Sequence, residues 1–434
     1  MSSLGTPEEG TDVKKAHDPG RAQLGATDPN QCRSRAARML SCIAAVTAAA
    51  FLLAGARLLA ADVEVGGYVK QFVTALDDPA STGPLDGLAA TRVRVRALWR
   101  PREGVATELA YGVSPRVQAA ARDEDVTATR PGGGVYRAID APELMYPSDS
   151  RAAGTFSLTH NIDRAWVEWS AGSADVSVGR QTVAFGSARF VNPTDVLAPY
   201  SYTALDKEER PGVDAVRVRY ALGAFSELDA GAVFGDDFAP DASAYFVRAQ
   251  SYVAETDVSA LAMRFRRHAL LGIDVARTVG GAGTWLEAAY TFTESVEADD
   301  YARLSAGLDY SPAQMVYTFA EYHLNTSGAN RADGYASLAG TPAYVDGAAY
   351  LLGRHYAAVG ASLATNPLVA GGLQVIVNLI DGSALLAPSV EYSFAEDVYL
   401  AAGAFVGIGP AADTAEAEFA AYADTLYGTI RLYF

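Results

Sequence analysis

From residue 62 onward the chain alternates apolar and polar residues in runs of about 9–13, with no helical period. The last run, residues 426–434, shows the pattern plainly. Leu426, Gly428, Ile430, Leu432 and Phe434 share one face, and Tyr427, Thr429, Arg431 and Tyr433 share the other. Runs of the same kind cover 62–76, 89–100, 105–113, 156–169, 175–185, 213–222, 226–235, 245–253, 258–267, 270–278, 285–293, 302–310, 315–324, 356–363, 369–380, 385–392 and 398–406. That makes eighteen strands with the terminal one. Long connections at 77–88, 115–153, 186–211, 325–353 and 408–423 all fall at one end. Short turns at Pro101, Gly172, Gly223, Ser311, Asn366 and Glu396 fall at the other. An even strand count sorted in this way predicts an all-β fold: a transmembrane antiparallel β-barrel of about 18 strands (16–18), with both termini periplasmic. The run length also matches a tilted membrane strand.

A soluble β-helix or sandwich would have shorter strands and evenly spaced turns. It would also leave unexplained the arginines that recur on the face opposite the apolar one. A membrane barrel closes every backbone hydrogen bond within its own sheet and needs an outer apolar band with aromatics at the interfaces. The aromatic content of 10%, rich in tyrosine, suits such girdles.

The start of the chain reads differently. Arg33, Arg35 and Arg38 precede the apolar run 39–56, and small residues follow at Ala60 and Ala61. This is the order of a secretory signal peptide, with cleavage expected after Ala61 or at Ala54-Gly55-Ala56. Residues 1–61 are thus an N-terminal extension and leader, and 62–434 a single barrel. Cys32 and Cys42 both lie in the leader, so the barrel carries no thiol or disulfide chemistry. Removing 1–61 takes seven basic and five acidic residues from 34 and 51, leaving 27 against 46, a net charge of −19. Such a chain has no electrostatic affinity for nucleic acid. Only Lys70 and Lys207 remain as lysines; every other cation is arginine.

With apolar faces outward, the inward faces hold Arg92, Arg94, Arg96, Glu108, Arg164, Glu168, Arg217, Arg219, Arg264, Arg266, Glu287, Arg303 and Asp309. The Arg92/Arg94/Arg96 ladder, with Arg217 and Arg219 elsewhere on the wall, is the strongest chemical signal. Guanidinium groups in a confined aqueous pore hold carboxylate or phosphate oxygens in pairs and concentrate anions. Pairing with Glu108, Glu168 and Asp309 in a transverse ladder that stiffens the wall is the compatible structural alternative. No zinc, P-loop or nucleophile-elbow spacing occurs, and no catalytic residue, cofactor or metal is expected. A calcium site would need Asp381 and Asp397 together.

Residues 160–212 carry a denser pattern: His160-Asn161-Ile162-Asp163-Arg164-Ala165-Trp166-Val167-Glu168-Trp169, Val178-Gly179-Arg180-Gln181, Phe185-Gly186, Arg189, Asn192-Pro193-Thr194-Asp195-Val196, Leu205-Asp206 and Arg210-Pro211-Gly212-Val213-Asp214. Over these fifty or so residues the chain resembles the alginate-export-type and related substrate-specific porin-like proteins of Gram-negative outer membranes. The C-terminal Phe434 likewise resembles the signature strand read by the barrel-assembly machinery. The resemblance implies a hairpin whose loop folds into the lumen, with Arg180, Arg189, Asn192 and Asp195 at a constriction. Val176 and Val178 put Arg180 in the outward phase, so either a bulge at Gly179 resets the register or Arg180 lies above the membrane band.

The expected protein is a bacterial outer-membrane channel, embedded in lipid and lipopolysaccharide, that passes small anionic or polar solutes, or an anionic polysaccharide such as alginate. The alternative is a non-conducting barrel whose loops at 115–153 and 325–353 bind a surface partner. Oligomeric state is not legible from the sequence.

Overall fold

In a computed structural model the described residues are 63–77, 86–118, 136–138, 144–146, 156–294, 299–410 and 417–434. The expected leader, 1–61, lies outside them. The strands are β1 (Val63–Asp77), β2 (Asp86–Arg102), β3 (Val105–Gln118), β4 (Leu144–Tyr146), β5 (Phe156–Ala171), β6 (Ala174–Gln181), β7 (Val213–Gly223), β8 (Ser226–Phe234), β9 (Ala244–Val253) and β10 (Thr256–Phe265). They continue with β11 (His268–Val279), β12 (Ala282–Thr293), β13 (Tyr301–Ala313), β14 (Val316–Asn325), β15 (His355–Asn366), β16 (Val369–Asn378), β17 (Ala384–Ala395), β18 (Val398–Ile408) and β19 (Asp424–Tyr433). Eighteen of these form one closed antiparallel barrel, and β4 is a three-residue addition to the edge of β5.

Closure comes at the seam read from the last run. β19 pairs with β1 from Tyr68↔Tyr433 to Asp77↔Asp424, and Phe434 exchanges backbone hydrogen bonds with Gly67 at 2.8 and 3.0 Å. Every connection at one end of the wall, such as Gly172-Ser173 or Gly280-Gly281, has two residues, and the long connections gather at the other. The outward face is apolar: Val73, Leu109, Ile162, Leu271, Leu373, Leu426 and Ile430 are all exposed. Trp99, Trp169, Tyr220, Phe225, Tyr252, Tyr310 and Phe394 form an exposed aromatic girdle near the two-residue turns. Amphipathic rings at that level match a lipid–water boundary.

The hydrophobic core lies inside the barrel. One cluster joins Val183, Phe185, Val196 and Leu197 to Phe246, Leu261, Met263 and Phe265 of the wall, and a second joins Phe190, Val191 and Tyr202 to Tyr356, Ile376, Leu385, Phe405 and Phe419. In both, a long connection packs on the inner face of the wall. This explains one departure from the alternation. Arg264, expected inward, points out and pairs with exposed Glu294, while Met263 and Phe265 are buried inside. Where both faces of a strand are apolar, alternation cannot assign the inner one. Strand β6 also ends earlier than its pattern, at Gln181 rather than residue 185, because Val183 and Phe185 leave the wall for the inner core.

Candidate functional site

Residues 182–212, between β6 and β7, cross the lumen. Their first half touches β11–β14 and their second half touches β1, β2, β5 and β19, which stand on the far side of the ring. Gly179 and Gly186 permit the departure. Gly179 has φ +117°, and a Cβ there would stand 2.2 Å from the Ala165 carbonyl oxygen. Gly186 has φ +96°, and a Cβ would stand 2.4 Å from both carboxylate oxygens of Glu287. Only glycine tolerates either approach.

The first half is held by two wall carboxylates. Glu287 accepts from the backbone N–H of Ala188 (3.2 Å) and of Thr194 (2.8 Å), from the Thr194 hydroxyl (2.6 Å) and from Asn192 Nδ2 (3.1 Å). Glu321 accepts from the N–H groups of Arg189 (2.7 Å), Phe190 (3.3 Å) and Val191 (3.2 Å), and from Trp285 Nε1 (2.9 Å). Arg303 reaches the Pro193 carbonyl at 2.6 Å and Ser305 the Val191 carbonyl at 2.6 Å. Backbone donors and acceptors that a buried loop would leave unsatisfied are thus met by the wall.

The second half carries the acids instead. In the barrel register Lys70 stands opposite Arg92 on one side and Arg431 on the other, a row of like charges across three strands. Such a row is unfavourable by itself. Asp206 and Glu208 of the loop enter it, giving the alternating chain Arg92–Asp206–Lys70–Glu208–Arg431, with N···O distances of 3.1, 2.9, 2.7 and 2.7 Å. Arg431 also pairs with Glu391, and Tyr433 donates to Glu208 at 2.6 Å. One level down, Arg94 bridges Asp163 (3.0 Å) and Glu209 (2.7 Å), and Arg164 contacts both acids. Burial alone would raise the Asp206 carboxyl, but Lys70 and Arg92 hold it below the usual value. Glu208 is likewise depressed: its burial is outweighed by Lys70, Tyr433 and Arg431.

The remaining expected site residues sort by burial. Arg180 turns inward after the positive φ of Gly179 and grips Asp214 through two nitrogens at 2.7 and 3.0 Å. Asp195, expected at the constriction, is buried within the loop, accepting from the N–H groups of Leu197 and Ala198 and from Arg210, and burial raises its carboxyl despite Arg210. Asn192 fastens the loop to Glu287. Arg189 is half exposed above the Trp285 ring and pairs with Asp309 at 3.0 Å. Arg96 pairs with Glu108 (3.0 Å), Arg217 with Asp229 (2.7 Å) and Arg219 with Glu168 (2.9 Å). Asp381 and Asp397 lie at opposite ends of β17, so they form no calcium pair. Among the described residues no cluster of three or more His, Cys, Asp or Glu is arranged to hold a metal.

Two open spaces flank the loop. A cavity of about 620 Å³ is lined by Ala204–Glu208 of the loop and by small or aromatic wall residues including Phe72, Phe319, Gly371, Ala387 and Tyr427. One of about 610 Å³ lies by Gly186 and Ser187, with Arg248, Asp257 and Asp274 on the wall.

A closed eighteen-stranded barrel crossed by the loop between its β6 and β7 strands is a specific architecture. Its fold is that of the Occ porins. Acinetobacter baumannii OccAB1 matches with a TM-score of 0.57 at 9% identity, over 88% of this chain and 98% of that one. Pseudomonas aeruginosa OccD3 (OpdP) matches at 0.53 and 10% identity, over 88% and 93%. P. aeruginosa OpdK, solved with vanillate, matches at 0.53 and 9% identity, over 86% and 98%. No protein-family model and no curated protein sequence matches the chain. The likeness to Occ porins is therefore one of fold at very low identity, and it does not single out the alginate-export type.

Lys70, Arg431, Asp206, Glu208, Glu209 and Glu321 carry most of the site and are absent from the sequence-derived list. Two signals point toward the site: the rarity of lysine, which marks Lys70 and Lys207, and the 160–212 pattern, which includes Asp206.

Proposed function

We propose that this protein is a Gram-negative outer-membrane channel, not an enzyme, through which small anionic or polar solutes diffuse past the 182–212 loop. The observation that carries the reading is that loop: it narrows a closed barrel at mid-height and is fixed to both walls, as a selective porin requires. The apolar outer band and the aromatic girdle support insertion in the outer membrane, facing lipid and lipopolysaccharide. Export through the 1–61 leader and recognition of Phe434 by the barrel-assembly machinery belong to the same proposal. An arginine-lined pore is part of it in modified form: Arg92 and Arg94 hold loop acids, while Arg96, Arg217 and Arg219 pair with acids of the wall. Alginate is the polymeric member of that class.

The test is conductance of the refolded 62–434 barrel in a planar bilayer, with the reversal potential in a KCl gradient. Expected are open steps with chloride preference and block by small carboxylates; alginate oligomers are scored in the same assay. Absence of conductance from a heat-modifiable, folded barrel would favour a plugged, partner-binding scaffold, an arrangement consistent with the two apolar clusters inside the lumen.

A further inference from the structure

The inward cations differ in how fully they are neutralised. Lys70, Arg92, Arg94, Arg96, Arg164, Arg180, Arg189, Arg217, Arg219 and Arg431 each have a carboxylate within about 3 Å. A cation in contact with its counter-ion projects little net field into the pore, because the two charges cancel over the distance to a passing solute. Lys207 is the exception on the loop. Its Nζ donates to the Tyr202 carbonyl at 2.9 Å, and no carboxylate lies within ion-pair distance among the described residues. It sits between Asp206 and Glu208, whose oxygens are taken by the wall, and it lines the 620 Å³ cavity.

The two cavities differ in how their charges are compensated. The lining of the first holds Lys207 and Arg431 against Asp206, Glu208 and Glu391; Asp206 and Glu208 are paired with Lys70 behind the lining and Arg431 with Glu391, which leaves the Lys207 ammonium as the lining charge without a counter-ion among the described residues. The lining of the second holds Arg248 against Glu227, Asp257 and Asp274, a surplus of two negative charges.

We propose that Lys207 is the group that contacts the carboxylate or phosphate oxygens of the permeating solute, and that Lys70, Arg92, Arg94 and Arg431 hold the loop that presents it. This rests on the channel reading above. The chain offers a direct probe, because residues 62–434 contain only two lysines and Lys70 is fully buried. Succinic anhydride applied to the folded barrel converts an accessible ammonium to a carboxylate and should label Lys207 and spare Lys70, as peptide mass spectrometry reads. In the bilayer, Lys207→Gln should lower the chloride-to-potassium permeability ratio about threefold or more, as removal of a fixed charge in a narrow pore does. Lys207→Glu and succinylation should invert the preference, and Lys207→Arg should restore it. A folded Lys207→Glu barrel that conducts with the wild-type ratio would overturn the assignment while leaving the channel standing. A silent wild-type barrel would instead overturn the channel reading itself.

Discussion

The two halves of the 182–212 loop are fixed to the barrel by opposite chemistry. On the β12–β14 side the wall supplies carboxylates and the loop supplies backbone N–H groups. On the β1–β2–β19 side the wall supplies cations and the loop supplies carboxylates. The first attachment depends on the course of the backbone and is indifferent to most loop side chains. The second depends on two side chains, Asp206 and Glu208, and on charge. A carboxylate satisfied by several N–H donors needs no counter-ion, whereas the row Arg92–Lys70–Arg431 would repel itself without the loop acids. The first attachment therefore sets the position of the loop, and the second couples that position to salt.

Removing the backbone attachment should have the largest effect. In Glu321→Ala three loop N–H groups and the Trp285 indole lose their acceptor in a buried site. At about 1–3 kcal/mol for each unsatisfied group, with partial relaxation, the loss should be ~4 kcal/mol. It should appear as a lower heat-modification temperature and as a larger, noisier conductance, because the loop no longer narrows the lumen. Wild-type stability with unchanged conductance would mean that the loop is held elsewhere.

Breaking the ionic attachment comes next. Asp206→Asn with Glu208→Gln leaves three cations facing one another and should cost about 3 kcal/mol, the range for a buried ion pair deprived of one partner. Acid should reproduce part of this. Both carboxyls are held below their ordinary values in the folded barrel, so their contribution is full above the ordinary carboxylate range and is lost as pH falls below it, through the depressed values. The wild-type channel should thus become noisier below about pH 4, and the double variant should show a smaller further change, with Asp195, whose carboxyl burial raises, still free to titrate. A pH response unaltered by the double substitution would place the titrating group elsewhere.

The sequence carries the wall far better than the loop. Alternation and the sorting of long from short connections suffice for eighteen strands, because each strand must show lipid an apolar face and each turn must fit its end of the barrel. They mislead where loops pack inside, as at Arg264, since the lumen there is as apolar as the membrane, and at Arg180, where the positive φ of Gly179 resets the phase. The ionic chain was illegible for a different reason. Asp206 lies 136 residues from Lys70, and Glu208 lies 223 from Arg431. Only closure of the seam brings β1, β2 and β19 into register, and no local pattern encodes that. Glu287 is inward by alternation, but its role as an acceptor for loop amides depends on a backbone path that begins at Gly179 and Gly186.

The smallest expected effect separates the ladder from the attachment. Arg96 continues the line of Arg92 and Arg94 along β2, yet it meets Glu108 of the neighbouring strand and not the loop, with its side chain about two-fifths exposed to the pore (40%). Water screens a pair that open, so Arg96→Gln should cost under ~1 kcal/mol. It should leave channel noise at the wild-type level, because the loop does not depend on it. If the ladder were one functional unit, Arg96→Gln and Arg94→Gln would act alike. The geometry requires them to differ: Arg94 ties Glu209 of the loop to Asp163 of the wall, so its loss should raise open-channel noise, while loss of Arg96 should leave the noise unchanged. Equal noise in the two variants would mean that the level of Arg94 contributes nothing to holding the loop, and that the chain through Lys70 carries the whole ionic attachment.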